Sequence, residues 1–308
     1  MARFPVGVFG NPLDVVSGRP PILGLRLNSR PDAAGLVRAA LGGLVGPFRL
    51  REELVNDLKT AISEACNNAV EHAYRGQSGA IAVHIDIGFE SVDVSVRDWG
   101  GGFQHLAPAG DRMRFGLPVI NALADRAEFL TAPGSGTEVR MGFDIRHDPR
   151  RDGLLARVEE SEDLEAWTPW RRGLSGDVVV TLLPRELLAG VLEPVISALA
   201  ARSRFSLERF SDMYLVARAI AAHVQSSASS GRVSFALGAG EQRIDMTIGP
   251  LRSGAAEQLR AMARTDRLEA SVARLADEID CEPIDSSELL RVVVKDHQHD
   301  LSTTQNAC

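Results

Sequence analysis

Three cysteines in 308 residues, Cys66, Cys281 and Cys308, leave no disulfide framework on which to build a fold. Their number is odd, they lie far apart, and no spacing matches a metal site, which fits a reducing cytoplasm. Long apolar runs are missing too. No stretch approaches the roughly 18 residues that a membrane span needs. Nor is there an excess of positive charge: 34 Lys and Arg stand against 41 Asp and Glu, for a net charge of -7. The basic footprint of a nucleic-acid-binding chain is therefore lacking. Residues 1–20 carry Arg3 and a short apolar patch broken by Gly and Pro, so they do not read as a signal peptide. What is present is ordinary globular composition, 44% hydrophobic and 24% charged, long enough for two medium domains.

Residues 1–20 read as an extension or an extra edge strand. Ile22–Leu27 alternates as a strand does, and Asp32 is placed to cap a helix running to about Leu44. From Arg51 to Tyr74 the apolar positions Leu54, Leu58, Ala61, Ile62, Ala65, Ala69 and Val70 keep helical spacing. Ala80–Phe89 and Ser91–Asp98 alternate as two strands. A short helix is expected from Gly116 to Ala124, with strands at Ala127–Thr131 and Thr137–Asp144. Residues 147–174 read as a linker, with Trp167 and Trp170 as packing anchors. Beyond it come a strand Asp177–Leu183, helices Leu187–Ala201 and Leu207–Gln225, a hairpin Arg232–Ala239 with Arg243–Ile248, a helical stretch Ala255–Ile279 and a strand Leu289–Lys295. This repeats the order of the first half. Glu53-Leu54-Val55-Asn56-Asp57 aligns with Glu208-Arg209-Phe210-Ser211-Asp212 at an offset of 155. Asp93-Val94-Ser95-Val96 aligns with Asp245-Met246-Thr247-Ile248, and Leu123-Ala124-Asp125 with Leu275-Ala276-Asp277, both at 152. Order and near-constant offset point to a duplication. The expected units are 1–20 (extension), 21–146, a linker 147–174, 175–298, and a disordered tail 299–308.

Four segments of the first half carry chemistry. In Glu64-Ala65-Cys66-Asn67-Asn68-Ala69-Val70-Glu71-His72-Ala73-Tyr74, Glu64 and Asn68 share one helix face at i and i+4. An amide oxygen suits Mg²⁺ without adding charge that repels phosphate, and a carboxylate one turn away suits a general base. Two adjacent asparagines in mid-helix go against helix propensity. In Asp98-Trp99-Gly100-Gly101-Gly102-Phe103, a carboxylate ends a strand where it can accept from an exocyclic amine, and Gly100 and Gly102 allow close approach. Arg114-Phe115-Gly116-Leu117-Pro118 leads into a helix whose N-terminus offers N–H groups to phosphate. Gly134-Ser135-Gly136-Thr137 precedes the last strand. Taken singly, each segment also reads as a solvated helix face or a plain turn.

Together, in this order, the segments resemble the GHKL ATPase superfamily over about residues 20–146. The nearest likeness is to the RsbW/SpoIIAB-type anti-sigma factors that are serine-protein kinases. The resemblance implies an α/β two-layer sandwich, the Bergerat fold, with a mixed sheet covered by helices on one face; the internal repeat adds a second copy in tandem. It implies ATP and Mg²⁺ as ligands. Glu64 would be the general base, Asn68 the Mg²⁺ ligand and Asp98 the adenine anchor. Gly100, Gly102, Gly116 and Gly136 would shape the pocket, with Leu117 beside it and Thr137 on the adenine side. Residues 104–115 would form a lid, with Arg112 and Arg114 at the phosphates. Arg114 departs from the extra glycine of many relatives, which implies a stiffer hinge.

The implied activity is phosphoryl transfer from ATP to a serine of a STAS-type anti-anti-sigma protein, by a chain that also binds a sigma factor. Two other readings remain at this point. One is an ATP-dependent module that sequesters a partner without transfer. The other is a sensor-kinase fragment, against which no phosphoacceptor histidine precedes the domain. Relatives implied by the resemblance are often homodimers, and a tandem chain could satisfy that pairing internally. In the second half, Glu64 maps to Ala219, Asn68 to His223, Asp98 to Pro250, Gly100 to Arg252 and Gly102 to Gly254. That half is expected to be a degenerate copy that binds no ATP.

Overall fold

The computed structural model describes residues 21–74, 76–101, 117–132, 134–159, 173–262 and 268–297. Strand β1 (Leu23–Asn28) buries alternate residues Leu23, Leu25 and Leu27 under two helices, α1 (Ala33–Val45) and α2 (Glu52–Asn68). The hairpin β2 (Ala80–Ile87) and β3 (Ser91–Asp98) follows, then α3 (Leu117–Leu123), β4 (Arg126–Ala132) and β5 (Gly136–Asp144). Past a short helix α4 (Asp152–Glu159), the series restarts with β6 (Val178–Leu182), α5 (Leu188–Arg202) and α6 (Leu207–Ser227). It ends with β7 (Val233–Gly240), β8 (Arg243–Arg252), α7 (Ala255–Ala261), α8 (Ala270–Leu275), β9 (Glu278–Ile284) and β10 (Ser287–Lys295).

The ten strands of the described residues form one sheet in the order β4-β5-β3-β2-β1-β6-β7-β8-β10-β9. Read outward from its centre, each arm of the sheet is the same series. The repeat offsets agree with the pairing: Asp86 faces Asp93 as Gly238 faces Asp245, and Leu25 faces Val83 as Val180 faces Phe235. The same local bond recurs as well. Asp125 accepts the Asp144 N–H, and Asp277 accepts the Lys295 N–H, each at 2.7 Å. The fold is thus a duplicated two-layer sandwich. One main core joins the helices to alternate strand residues such as Val83, Ile85, Val180 and Phe235.

The sheet is not mixed. Among the described residues every pairing is antiparallel. Two successive helices between β1 and β2 return the chain to the end where it left β1, so β2 runs the opposite way. At the centre, β1 pairs with β6 and α1 packs along α5. The helices touch at Gly43 and Gly190, where a Cβ on Gly43 would overlap the Gly190 carbonyl. Arg202 of α5 pairs with Asp32, and with Asp177 at 2.8 Å. Asp32 sits at the N-cap position of α1, but its side chain makes no capping bond and serves this pair instead.

Two other expectations change. The helical stretch 255–279 is broken into α7, α8 and the edge strand β9, whose Asp280, Cys281 and Glu282 are exposed. A strand with no buried apolar stripe carries no period-two signal. Within the expected linker, α4 buries Leu155 and Val158 in the main core. Trp167 and Trp170, residues 1–20 and the tail lie outside the described residues.

Candidate functional site

The expected helix 51–74 is α-helical only to Asn68. Ala69–Ala73 then forms a π turn, a local widening frequent at functional sites. A cavity opens beside it, lined by Asn68 and His72 from this helix, by Asp98 at the end of β3, by Leu117 at the start of α3, and by Thr137 on β5. Ala65, Val96 and Val139 supply an apolar wall. Four of the residues singled out in the sequence, Asn68, Asp98, Leu117 and Thr137, therefore converge although they span 70 positions. An apolar wall beside a few placed polar groups is the usual make-up of a small-molecule site.

Asp98 is 6% exposed. Its Oδ1 accepts the Gly100 N–H at 2.9 Å and the Thr137 N–H at 3.2 Å. Both bonds use one oxygen, which leaves Oδ2 for a ligand donor. Burial pushes the Asp98 carboxyl above the ordinary range, and the two backbone N–H groups pull it back. Gly100 lies against Ala73, where a Cβ would overlap the Ala73 carbonyl. Gly136 has φ +81°, and a Cβ there would overlap the Asp98 carbonyl. Both glycines are thus required by close approach around the same carboxylate.

Glu64 stands one turn before Asn68, half-buried, and is not among the cavity-lining residues. Gly102, Arg112, Arg114 and Gly116 lie outside the described residues. Sequence reasoning gave no role to Tyr74, whose hydroxyl holds the Trp99 N–H at 2.8 Å. An aromatic at a helix end has no spacing signal of its own.

The second half builds the equivalent region differently. His223, at the Asn68 position, is buried, and burial lowers its imidazole pKa. Where β5 opens on Gly136-Thr137, β10 opens on Ser287-Glu288. The Glu288 carboxylate accepts the N–H groups of Gly254 at 2.9 Å and Ala256 at 2.7 Å. An internal anion thus takes the donors at the start of α7.

The family described as histidine kinase-like ATPase domain matches residues 27–143. The serine-protein kinase RsbW of Bacillus pumilus (strain SAFR-032) is 34% identical over 85 residues, 27% of this chain and 52% of that protein. The anti-sigma F factor of Thermoanaerobacter sp. (strain X514) is 31% identical over 127 residues, 38% of this chain and 89% of that protein. The chain spans about half the length of several RsbW relatives that it matches. A crystal structure of the RsbU and RsbW domains of Rv1364c from Mycobacterium tuberculosis is 28% identical, covering 40% of this chain and 32% of that one, with a TM-score of 0.31.

Proposed function

The chain belongs to the family of RsbW and anti-sigma F factor, with its histidine kinase-like ATPase domain at residues 27–143, and from that premise we propose that this half binds Mg-ATP and phosphorylates a protein serine. The acceptor in this reading is a STAS-type anti-anti-sigma protein, and the second partner is a sigma factor. The observation that supports it most is the convergence of Asn68, Asp98, Leu117 and Thr137 on one cavity.

Each group has a physical task. Asp98 Oδ2 accepts from the exocyclic amine of adenine, with its carboxylate held by two backbone donors. Ala65, Val96 and Val139 receive the base. Asn68 lines the cavity, and a neutral amide oxygen suits a Mg²⁺ ion completed by phosphates and waters. When bound, that ion supplies charge neutralisation at the phosphates. Glu64 takes the proton of the attacking serine hydroxyl, and positioning does the rest. The second half is a silent copy, because Ala219, His223 and Pro250 replace base, metal ligand and adenine anchor.

One observation favours the sequestering alternative: Glu64 does not line the cavity. Labelled ATP incubated with the chain and a STAS protein separates the two. The kinase reading expects label on the partner's serine, lost in Glu64→Ala and in Asn68→Ala. Nucleotide-dependent partner binding with no label on the partner would establish sequestration instead.

A further inference from the structure

Asp98 needs a fixed height above Asn68, yet the turn after it is outside any strand ladder. Tyr74, directly after the π turn, supplies the tie. Its hydroxyl accepts the Trp99 N–H at 2.8 Å and donates to the carbonyl of Ala80. One side chain thereby joins the helix end, the start of β2 and the neighbour of Asp98. Next to it, the Ala73 carbonyl accepts the Gly101 N–H at 3.1 Å. The ring is seated by Gly79, where any Cβ would overlap the ring carbons. Burial above all pushes the Tyr74 hydroxyl up to about 12, so it remains a protonated donor at any physiological pH.

The duplicated half provides an internal comparison. At the offset of 155 the counterpart of Tyr74 is Ser229, and at 152 it is Ser226, so neither register places a tyrosine there. No π turn interrupts α6, which runs regularly to Ser227. The link is made differently: Ser229 donates its N–H to the Pro250 carbonyl at 3.1 Å, Ala228 bridges to Leu251, and the Arg252 guanidinium donates to the Ser226 carbonyl. The tyrosine tie accompanies the half that has Asp98, and it is missing where Pro250 stands in that position.

We propose that Tyr74 is a positioning residue for base recognition. By holding the Trp99 N–H it fixes the Asp98 carboxylate where a 6-aminopurine is read, and so sets adenine-over-guanine selectivity. This rests on the nucleotide-binding reading above. A residue that merely stabilises the fold would weaken every nucleotide alike; a residue that aims Asp98 weakens ATP and spares GTP.

The test is calorimetric titration of the full chain with ATP and with GTP, for the parent, Tyr74→Phe and Gly79→Ala, alongside thermal melting. The parent should prefer ATP. Tyr74→Phe should lose about three- to tenfold in ATP affinity, the size expected of one or two lost hydrogen bonds, with GTP affinity unchanged. Gly79→Ala keeps the hydroxyl but displaces the ring, and should narrow the same ratio; it carries the comparison if Tyr74→Phe does not fold. An ATP-to-GTP ratio equal to the parent's in the folded variant overturns the proposal while leaving the nucleotide site standing. A parent chain that binds no ATP overturns both.

Discussion

At the scale of single residues, the proposed role of Asp98 as adenine anchor sets recognition against stability. Its carboxyl is buried, and burial raises its pKa above the unfolded value. The sign follows from linkage: the native state favours the protonated form, so ionised Asp98 weakens folding above the folded pKa and costs nothing below the unfolded one. Asp98→Asn keeps an oxygen for the Gly100 and Thr137 N–H groups and removes the charge. The nucleotide-free variant should therefore melt at or above the parent's temperature at pH 7, with the gain shrinking as pH falls through the carboxylate range. Its ATP affinity should fall by about tenfold or more, since an amide nitrogen then faces the adenine amine. Melting curves across pH together with one ATP titration check both halves of this statement. A variant destabilised at pH 7 would mean that the carboxylate is held for stability rather than for ligand.

At the scale of elements, two contacts can be weighed. Gly43 meets Gly190 where α1 crosses α5. Gly43→Ala forces these helices apart, and overpacking of this kind costs about 1–3 kcal/mol. Melting several degrees lower is expected, because this contact joins the two halves; an unchanged melting temperature would show that the helices yield freely. In the second half, Glu288 holds the start of α7 through two N–H groups. Glu288→Gln replaces a charge-assisted pair with a neutral one and should cost about 1–2 kcal/mol by chemical denaturation, without creating an ATP site.

Much of this layer was readable from the chain itself. α1, α2, α5 and α6 announce themselves by apolar spacing, and β1 to β3 by alternation, because each buries one face. The cavity was readable from motif order, since Asn68, Asp98, Leu117 and Thr137 belong to four separate segments that only the fold brings together. β9 was not readable: it is an exposed, acidic edge with Pro283, and burial never stamped a period on it. Tyr74 was quoted in its motif but had no task, because its partners, Ala80 and Trp99, are set by the β2–β3 hairpin and not by helix spacing. The antiparallel sheet likewise follows from counting crossings, which spacing alone does not report.

At the scale of the whole molecule, β1 is sealed by β6 and α1 by α5, so the two halves complete each other. A fragment limited to residues 21–146 would expose the β1 edge and the apolar face of α1. Unpaired edges seek partners, so that fragment should self-associate in light scattering, whereas the full chain should not use this edge. A fragment that stays monomeric would show that the junction is incidental.

The central claim is one working nucleotide site in a duplicated fold, opposite a copy closed by its own Glu288. Equilibrium titration of the full chain with ATP and Mg²⁺ tests it most directly. The account predicts one site per chain, lost in the Asn68→Ala/Asp98→Asn double variant and kept in Glu288→Gln. Two sites per chain, or binding that survives in the double variant, would contradict it.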